Sequence, residues 1–205
     1  MKKHFLYIAD PMCSWCWGFS PVIEQISGEF GDKVPVRVMV GGLRPGTKEP
    51  MGAKDKEYIS NHWNHVHEAS AQPFDFSFFD QDGFVYDTEP ACRAVVTGRY
   101  LNEALVLGFL GALHQAFYAD NRDTTDADVL ADIAGEYGYS RGEFAQAHTS
   151  PEIREETQAD FHFVQQSGIS GFPTLLAVED GKAEIVTAGF QKWENLAEPL
   201  ASWIG

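Results

Sequence analysis

Phe5-Leu6-Tyr7-Ile8-Ala9-Asp10-Pro11-Met12-Cys13-Ser14-Trp15-Cys16 is the stretch whose reading decides the fold. Residues 5–9 form a continuous apolar run, the pattern of a short strand buried on both faces. Asp10-Pro11 then breaks the chain. From about Trp17 to Phe30 the apolar residues Phe19, Val22, Ile23, Ile26 and Phe30 recur at helical spacing. The spacing predicts a helix with Cys13 at or near its N-cap and Cys16 one turn further in. Residues three apart are neighbours on a helix surface, within the roughly 4.4–6.8 Å Cα separation that a disulfide needs. Unpaired N–H groups and the positive end of the helix dipole favour a thiolate on the first cysteine, and the thiolate is the nucleophile of disulfide exchange. A CxxC also occurs as half of a zinc site. Here a second CxxC is lacking, and the one further thiol is Cys92. His62, His65 and His67 could complete a metal site on paper, but a solvated, partly packed helix face accounts for them. Redox chemistry is the preferred reading, with no metal or organic cofactor expected.

Working outward, Val34-Pro35-Val36-Arg37-Val38-Met39-Val40 alternates at period two and reads as a second strand, ended sharply by Gly41-Gly42-Leu43-Arg44-Pro45-Gly46. Strand, helix, strand implies a βαβ unit with parallel strands and a right-handed crossover. Near the C-terminus, Thr174 to Val178 is apolar, Asp180-Gly181 is a two-residue hairpin signal, and Ala183 to Ala188 pairs back. Trp193, Leu196, Ala197, Leu200, Trp203 and Ile204 then trace a helical stripe, which Pro199 is expected to kink or split. The segment between reads as helical, with starts at Thr125-Asp126, Ser140 and Ser150-Pro151 and a stop at Gly168. The fold class is α/β: a thioredoxin-like βαβ…ββα arrangement with a large all-helical insertion after the second strand. Residues 1–46 and 168–205 form the thioredoxin-like domain in this reading, and 47–167 the inserted helical subdomain.

Hydrophobic residues make up 44% of the 205 residues and aromatics 13%, enough for a substantial core. Thirty acidic residues against 15 basic give a net charge of −15, which argues against nucleic acid and anionic membrane surfaces as partners. No run of about 18 apolar residues occurs, so no membrane span is expected. Met1-Lys2-Lys3-His4 has the charge of a signal-peptide start, but the apolar stretch that follows is too short. The expectation is a cytoplasmic protein, in which structural disulfides are rare and the CxxC is a working pair.

Three further motifs complete the pattern: Asp10 to Gly18, Gly41 to Gly46, and Thr88-Glu89-Pro90-Ala91-Cys92-Arg93, with Ser170-Gly171-Phe172-Pro173-Thr174 before the third strand. With them the chain resembles the DsbA-like branch of the thioredoxin superfamily, and within it the subgroup of predicted cytoplasmic protein-disulfide isomerases. The resemblance implies that Cys13 is the exposed nucleophile and Cys16 the resolving thiol. It implies that Pro173 is a cis-proline facing the disulfide, that Phe172 lies against the sulfurs, and that Thr174 borders the substrate. Trp15, between the thiols, is expected at the mouth of the site, and Trp17 in the core. Strongly oxidising members carry a histidine between the cysteines; Ser14-Trp15 supplies no cation, so a reductase or isomerase is expected.

Cys92 reads as a buried free thiol. Phe74, Phe76, Phe78, Phe79, Phe84 and Tyr86 read as packing of the helical segment, with an apolar groove beside Cys13 as the alternative. The partners expected are protein or peptide disulfides and a cellular thiol reductant, with glutathione or a small aromatic substrate as alternatives. The competing functional class is a glutathione-dependent small-molecule isomerase, or a kappa-type glutathione transferase related to 2-hydroxychromene-2-carboxylate isomerase. That family is expected to carry serine where this chain has Cys13. A non-enzymatic partner protein is the third class.

Overall fold

A computed structural model describes residues 3–205. Met1 and Lys2, half of the charged start noted above, lie outside the described residues. Along the chain come β1 (Lys3–Ala9), α1 (Ser14–Phe30), β2 (Val36–Val40), α2 (Ala53–Ser70), α3 (Glu89–Leu101), α4 (Val106–Tyr118), α5 (Ala127–Tyr137), α6 (Arg141–His148), α7 (Pro151–Gln166), β3 (Thr174–Glu179), β4 (Lys182–Ala188) and α8 (Trp193–Ile204), with short 3-10 turns at 76–80 and 103–105. The strands form one sheet in the order β2-β1-β3-β4. β1 runs parallel to β2, from Phe5 opposite Val36 to Ala9 opposite Val40. β3 lies antiparallel to both β1 and β4. Asp180 and Gly181 take φ of 50° and 80°, the left-handed pair that a tight hairpin turn requires.

Alternate residues of β1 point to opposite faces of the sheet. Phe5, Tyr7 and Ala9 join the main core with α1, α3, α4 and α8, where Phe5 meets Trp203 and Tyr7 meets Phe19. Ile8, with Leu176 and Val178, packs on the other face against Val164 of α7. The acceptors and donors at the helix starts come from the residues the sequence marks. Asp126, Ser140 and Ser150 each cap a helix with their side-chain oxygen. Pro199 does not split α8, which runs unbroken from Trp193 to Ile204. Both Pro199 and Asn195, whose carbonyl loses its helical donor, face solvent, so the missing bond leaves no buried polar group.

Pro21 is the more consequential proline. It sits inside α1 and withdraws the N–H that Trp17 O would accept in a regular helix. Gln72 Nε2 donates to that oxygen instead, at 3.1 Å, and the Trp17 indole donates to Pro73 O at 2.9 Å. Trp17 is buried, as expected. A second clamp joins α3 to α7 and the edge strand: the Arg99 guanidinium forks onto Asp160 at 2.8 and 3.1 Å and also reaches Val38 O, while Asp160 accepts from Val40 N–H.

The aromatic segment 74–86 forms a second core around Trp63, which is fully buried among Phe74, Phe78, Phe79, Phe117 and Tyr118. Packing therefore uses most of these rings.

Candidate active site

Cys13 is the N-cap residue of α1, in extended conformation, and its carbonyl accepts from the N–H groups of Cys16 and Trp17. Its sulfur donates to Phe172 O at 3.6 Å across a sequence separation of 159 residues. The Phe172–Pro173 peptide is cis. The N-terminal CxxC and the Phe-Pro turn thus meet where β1 ends and β3 begins.

The resemblance implies an exposed nucleophile, and here the structure differs: Cys13 is 5% exposed and Cys16 is 0% exposed. The cover comes from residues distant in sequence. Cys13 lines a cavity of about 270 Å³ whose walls include Trp15, Arg44, His62, Tyr86 and Phe172. Its access to solvent is through that cavity and not across an open surface. Both thiols are free. Burial, foremost, pushes the Cys16 thiol well up, followed by its hydrogen bond to the Cys13 sulfur and that sulfur's charge. Cys16 therefore keeps its proton at neutral pH.

Asp10 organises the entrance to α1. It is fully buried, yet its carboxylate accepts from Met12 N–H at 2.8 Å, from Leu43 N–H at 2.6 Å and from the Cys92 thiol at 3.2 Å. Burial raises its pKa, and the Leu43 and Met12 N–H groups oppose the rise. Cys92 is 0% exposed, and burial together with the Asp10 charge pushes its thiol well up. His114 lies behind: Nε2–H donates to Asp10 O at 3.2 Å, the carbonyl being able only to accept, and Nδ1 faces Ser20 Oγ at 3.1 Å. Burial lowers the His114 pKa to about 4, so the ring is neutral at pH 7.

The loop after β2 is fixed from both sides. Asp10 holds Leu43, Thr88 Oγ1 accepts from Arg44 N–H at 3.1 Å, and Asp87 accepts from Gly46 N–H at 2.8 Å. Gly41 is required by close approach, since a Cβ there would stand 2.1 Å from the Phe172 ring. Gly42 takes φ +69°. This glycine pair lines a neighbouring cavity of about 430 Å³, which shares Leu43 and Phe172 with the Cys13 cavity.

The other site residues read from the sequence divide. Trp15 lines the Cys13 cavity and packs on Phe190. Phe172 lines it too, and Pro173 is buried behind. Thr174 is buried, donates to Gly171 O at 2.9 Å, and borders a different concavity on the far side of Phe172. Sequence reasoning did not place Arg44, Tyr58, Ile59 and His62 at the cavity. Tyr58 and His62 sit four apart on α2 with their rings 4.5 Å from one another, a spacing that was legible. Of the aromatics at 74–86, Tyr86 alone lines the cavity, with its hydroxyl on Met12 O at 2.8 Å. Among the described residues no group of three or more His, Cys, Asp or Glu side chains is placed to hold a metal ion, and no helix is long and apolar enough to cross a membrane.

The profile of the DSBA-like thioredoxin domain matches residues 7–201. The chain belongs to that family. A solved structure of a candidate protein disulfide isomerase from Nitrosomonas europaea superposes on this DSBA-like chain with a TM-score of 0.93 at 38% identity, covering 100% of this chain and 98% of that one. The cytosolic disulfide reductase DsbM from Pseudomonas aeruginosa, also solved with GSH, superposes with a TM-score of 0.76 at 26% identity, covering 98% and 95%. Among curated sequences, the ClpXP adapter protein SpxH of Halalkalibacterium halodurans is 22% identical over 202 residues, covering 96% of this chain. The DSBA-like chain spans 66% of that protein's length, just under two thirds.

Proposed function

We propose that this DSBA-like protein is a thiol–disulfide oxidoreductase of the reductase or isomerase type, working through Cys13 and Cys16. The observation that carries the reading is the placement of Cys13. It caps α1, faces the Phe172 carbonyl, opens onto a cavity, and has Cys16 one turn deeper as a protonated neighbour. In the forward step the Cys13 thiolate attacks one sulfur of a substrate disulfide. The substrate S–S bond breaks, a Cys13–substrate mixed disulfide forms, and the other substrate sulfur leaves as a thiolate. Cys16 then loses its proton and attacks Cys13. The Cys13–Cys16 disulfide forms, the second substrate thiol departs, and two electrons have passed to the substrate. A cellular thiol reductant returns them.

The likeness to DsbM, a cytosolic disulfide reductase, and to the Nitrosomonas protein supports this direction and a cytoplasmic setting. Ser14-Trp15 supplies no cation between the thiols, consistent with a less oxidising pair than the histidine-bearing members. Phe172 and Trp15 are assigned to substrate contact, and Pro173 and Thr174 to the support of the turn that presents Phe172. Residues 47–167 are assigned as an inserted helical subdomain that roofs the site carried by 1–46 and 168–205.

Reduction of insulin disulfides by the wild type, Cys13→Ser and Cys16→Ser tests the proposal. Cys13→Ser is expected to be inactive, and Cys16→Ser to accumulate a mixed disulfide that mass spectrometry detects. Wild-type rates in both variants would reject the proposal and make glutathione-dependent assays the next step.

A further inference from the structure

The Cys13 cavity carries a charge opposite to that of the protein around it. The chain has 30 acidic residues against 15 basic ones. None of the residues lining the cavity is acidic, while Arg44 and His62 are both among them. Arg93, Arg99, Arg122 and Arg141 are each paired with a carboxylate. Arg44, like Arg37 and Arg154, has no such partner among the described residues, and of these three it alone lines the Cys13 cavity. Its guanidinium lies over the Tyr86 ring, 5.5 Å from the centroid.

That arrangement is held in place. Thr88 Oγ1 accepts from the Arg44 N–H, and Arg44 O accepts from Thr47 Oγ1 at 3.0 Å. The Tyr86 hydroxyl beneath the guanidinium donates to Met12 O, the residue just before Cys13. One side chain thus lies under the cation and bonds the backbone next to Cys13. A guanidinium held over an aromatic face keeps its N–H groups available, and the guanidinium fork matches a carboxylate with two parallel hydrogen bonds. At about 270 Å³ the cavity lies near the lower end of the range for small-molecule sites, roughly 300–1,000 Å³. It suits a ligand of a few residues and not a folded surface.

Resting on the oxidoreductase reading, we infer that Arg44 is the substrate's anion anchor, and that the substrate class is a small carboxylate-bearing peptide thiol or disulfide. The carboxylate docks on the Arg44 fork while the ligand's sulfur lies over Cys13.

Binding of S-methylglutathione and of its dimethyl ester to wild type, Arg44→Met and Arg44→Lys, measured by calorimetry, tests this. A charged hydrogen-bonded pair of this kind corresponds to roughly tenfold to a hundredfold in affinity. Wild type is expected to bind the acid at least about tenfold more tightly than the ester. Arg44→Met is expected to bind both alike while melting as the wild type does, and Arg44→Lys to fall between. Equal wild-type affinity for acid and ester, no detectable binding of the acid, or an undiminished acid preference in Arg44→Met would each overturn the assignment. The probe has no free thiol, so the outcome is independent of redox activity. Insulin reduction that depends on Cys13 without any acid preference would remove the Arg44 assignment and leave the oxidoreductase reading standing.

Discussion

Gly41→Ala isolates the contact on which the Phe172 wall rests. A Cβ at this position would lie 2.1 Å from both Cε1 and Cζ of Phe172 and 2.8 Å from Cδ1. Carbon atoms pack at about 3.5–4.0 Å, so the ring must retreat by roughly 1.5 Å. The backbone cannot yield in its place, because Gly41 N–H donates to Ala9 O at 2.8 Å and extends the β1–β2 ladder. Gly41 is not among the positive-φ glycines, so alanine adds steric crowding without backbone strain. Overpacking of this kind costs about 1–3 kcal/mol. In a chain of this length each kcal/mol lowers the melting midpoint by about 2–4 °C, so a fall between about 2 and 12 °C is expected by calorimetry. The displaced ring also moves the wall of the Cys13 cavity and the carbonyl that Cys13 faces, and insulin reduction is expected to drop with it. The decisive assay is a double-mutant cycle with Phe172→Ala. Once the ring is gone the alanine at 41 has nothing to strike, and its cost should fall below about 0.5 kcal/mol. An equal cost in both backgrounds, or wild-type stability in Gly41→Ala, would refute the reasoning.

His114 and His148 are both lowered by burial to a pKa of about 4. Each stabilises the fold fully above its unfolded pKa of about 6.5, and that contribution is lost as pH falls through about 4. Urea midpoints should fall between pH 7 and pH 4.5, by up to about 3 kcal/mol per histidine, and His114→Asn should flatten the slope; an unchanged slope would count against the burial argument. Asp160→Asn removes the charge and one of the two acceptor oxygens that Arg99 and Val40 N–H share. Because Arg99 is partly solvated, the expected loss is about 2 kcal/mol, below the 3–5 of a fully buried broken pair, read as a lower urea midpoint with an unchanged slope. Trp63→Ala should cost about 3–5 kcal/mol and diminish the near-ultraviolet circular dichroism, since the indole is the hub of the second core; a loss below about 1 kcal/mol would contradict that placement.

Local signals carried most of the fold. The apolar run of β1, the Asp180-Gly181 turn and the caps at Asp126, Ser140 and Ser150 depend on residues within a few positions of each other, and each lies where its pattern places it. The Cys13 N-cap position was legible for the same reason. Pro199 does not split α8, because the carbonyl it frees at Asn195 faces solvent, which the sequence does not state. The burial of Cys13 was not legible because Tyr86 and Arg44, which close the cavity beside Phe172, come from segments far along the chain. Arg44 and His62 were passed over for the same physical reason. An arginine in a glycine-rich loop and a histidine on a helix acquire a shared environment only when α2 and the β2 loop close over α1. The role of Asp10 was not legible either, because its three partners, Met12, Leu43 and Cys92, make it a joint between segments far apart in the chain.

The proline within α1 has an implication for transplanting this dithiol. A designer who grafted Ser14–Phe30 onto another thioredoxin scaffold would carry over Pro21 and leave Gln72 and Pro73 behind. The recipient would inherit a helix with a bare carbonyl at Trp17 and an indole with nothing to hold, one residue past Cys16. Chimaeras that exchange the CxxC helix together with the 70–73 corner should keep their donor's reactivity, and those that exchange the helix alone should not.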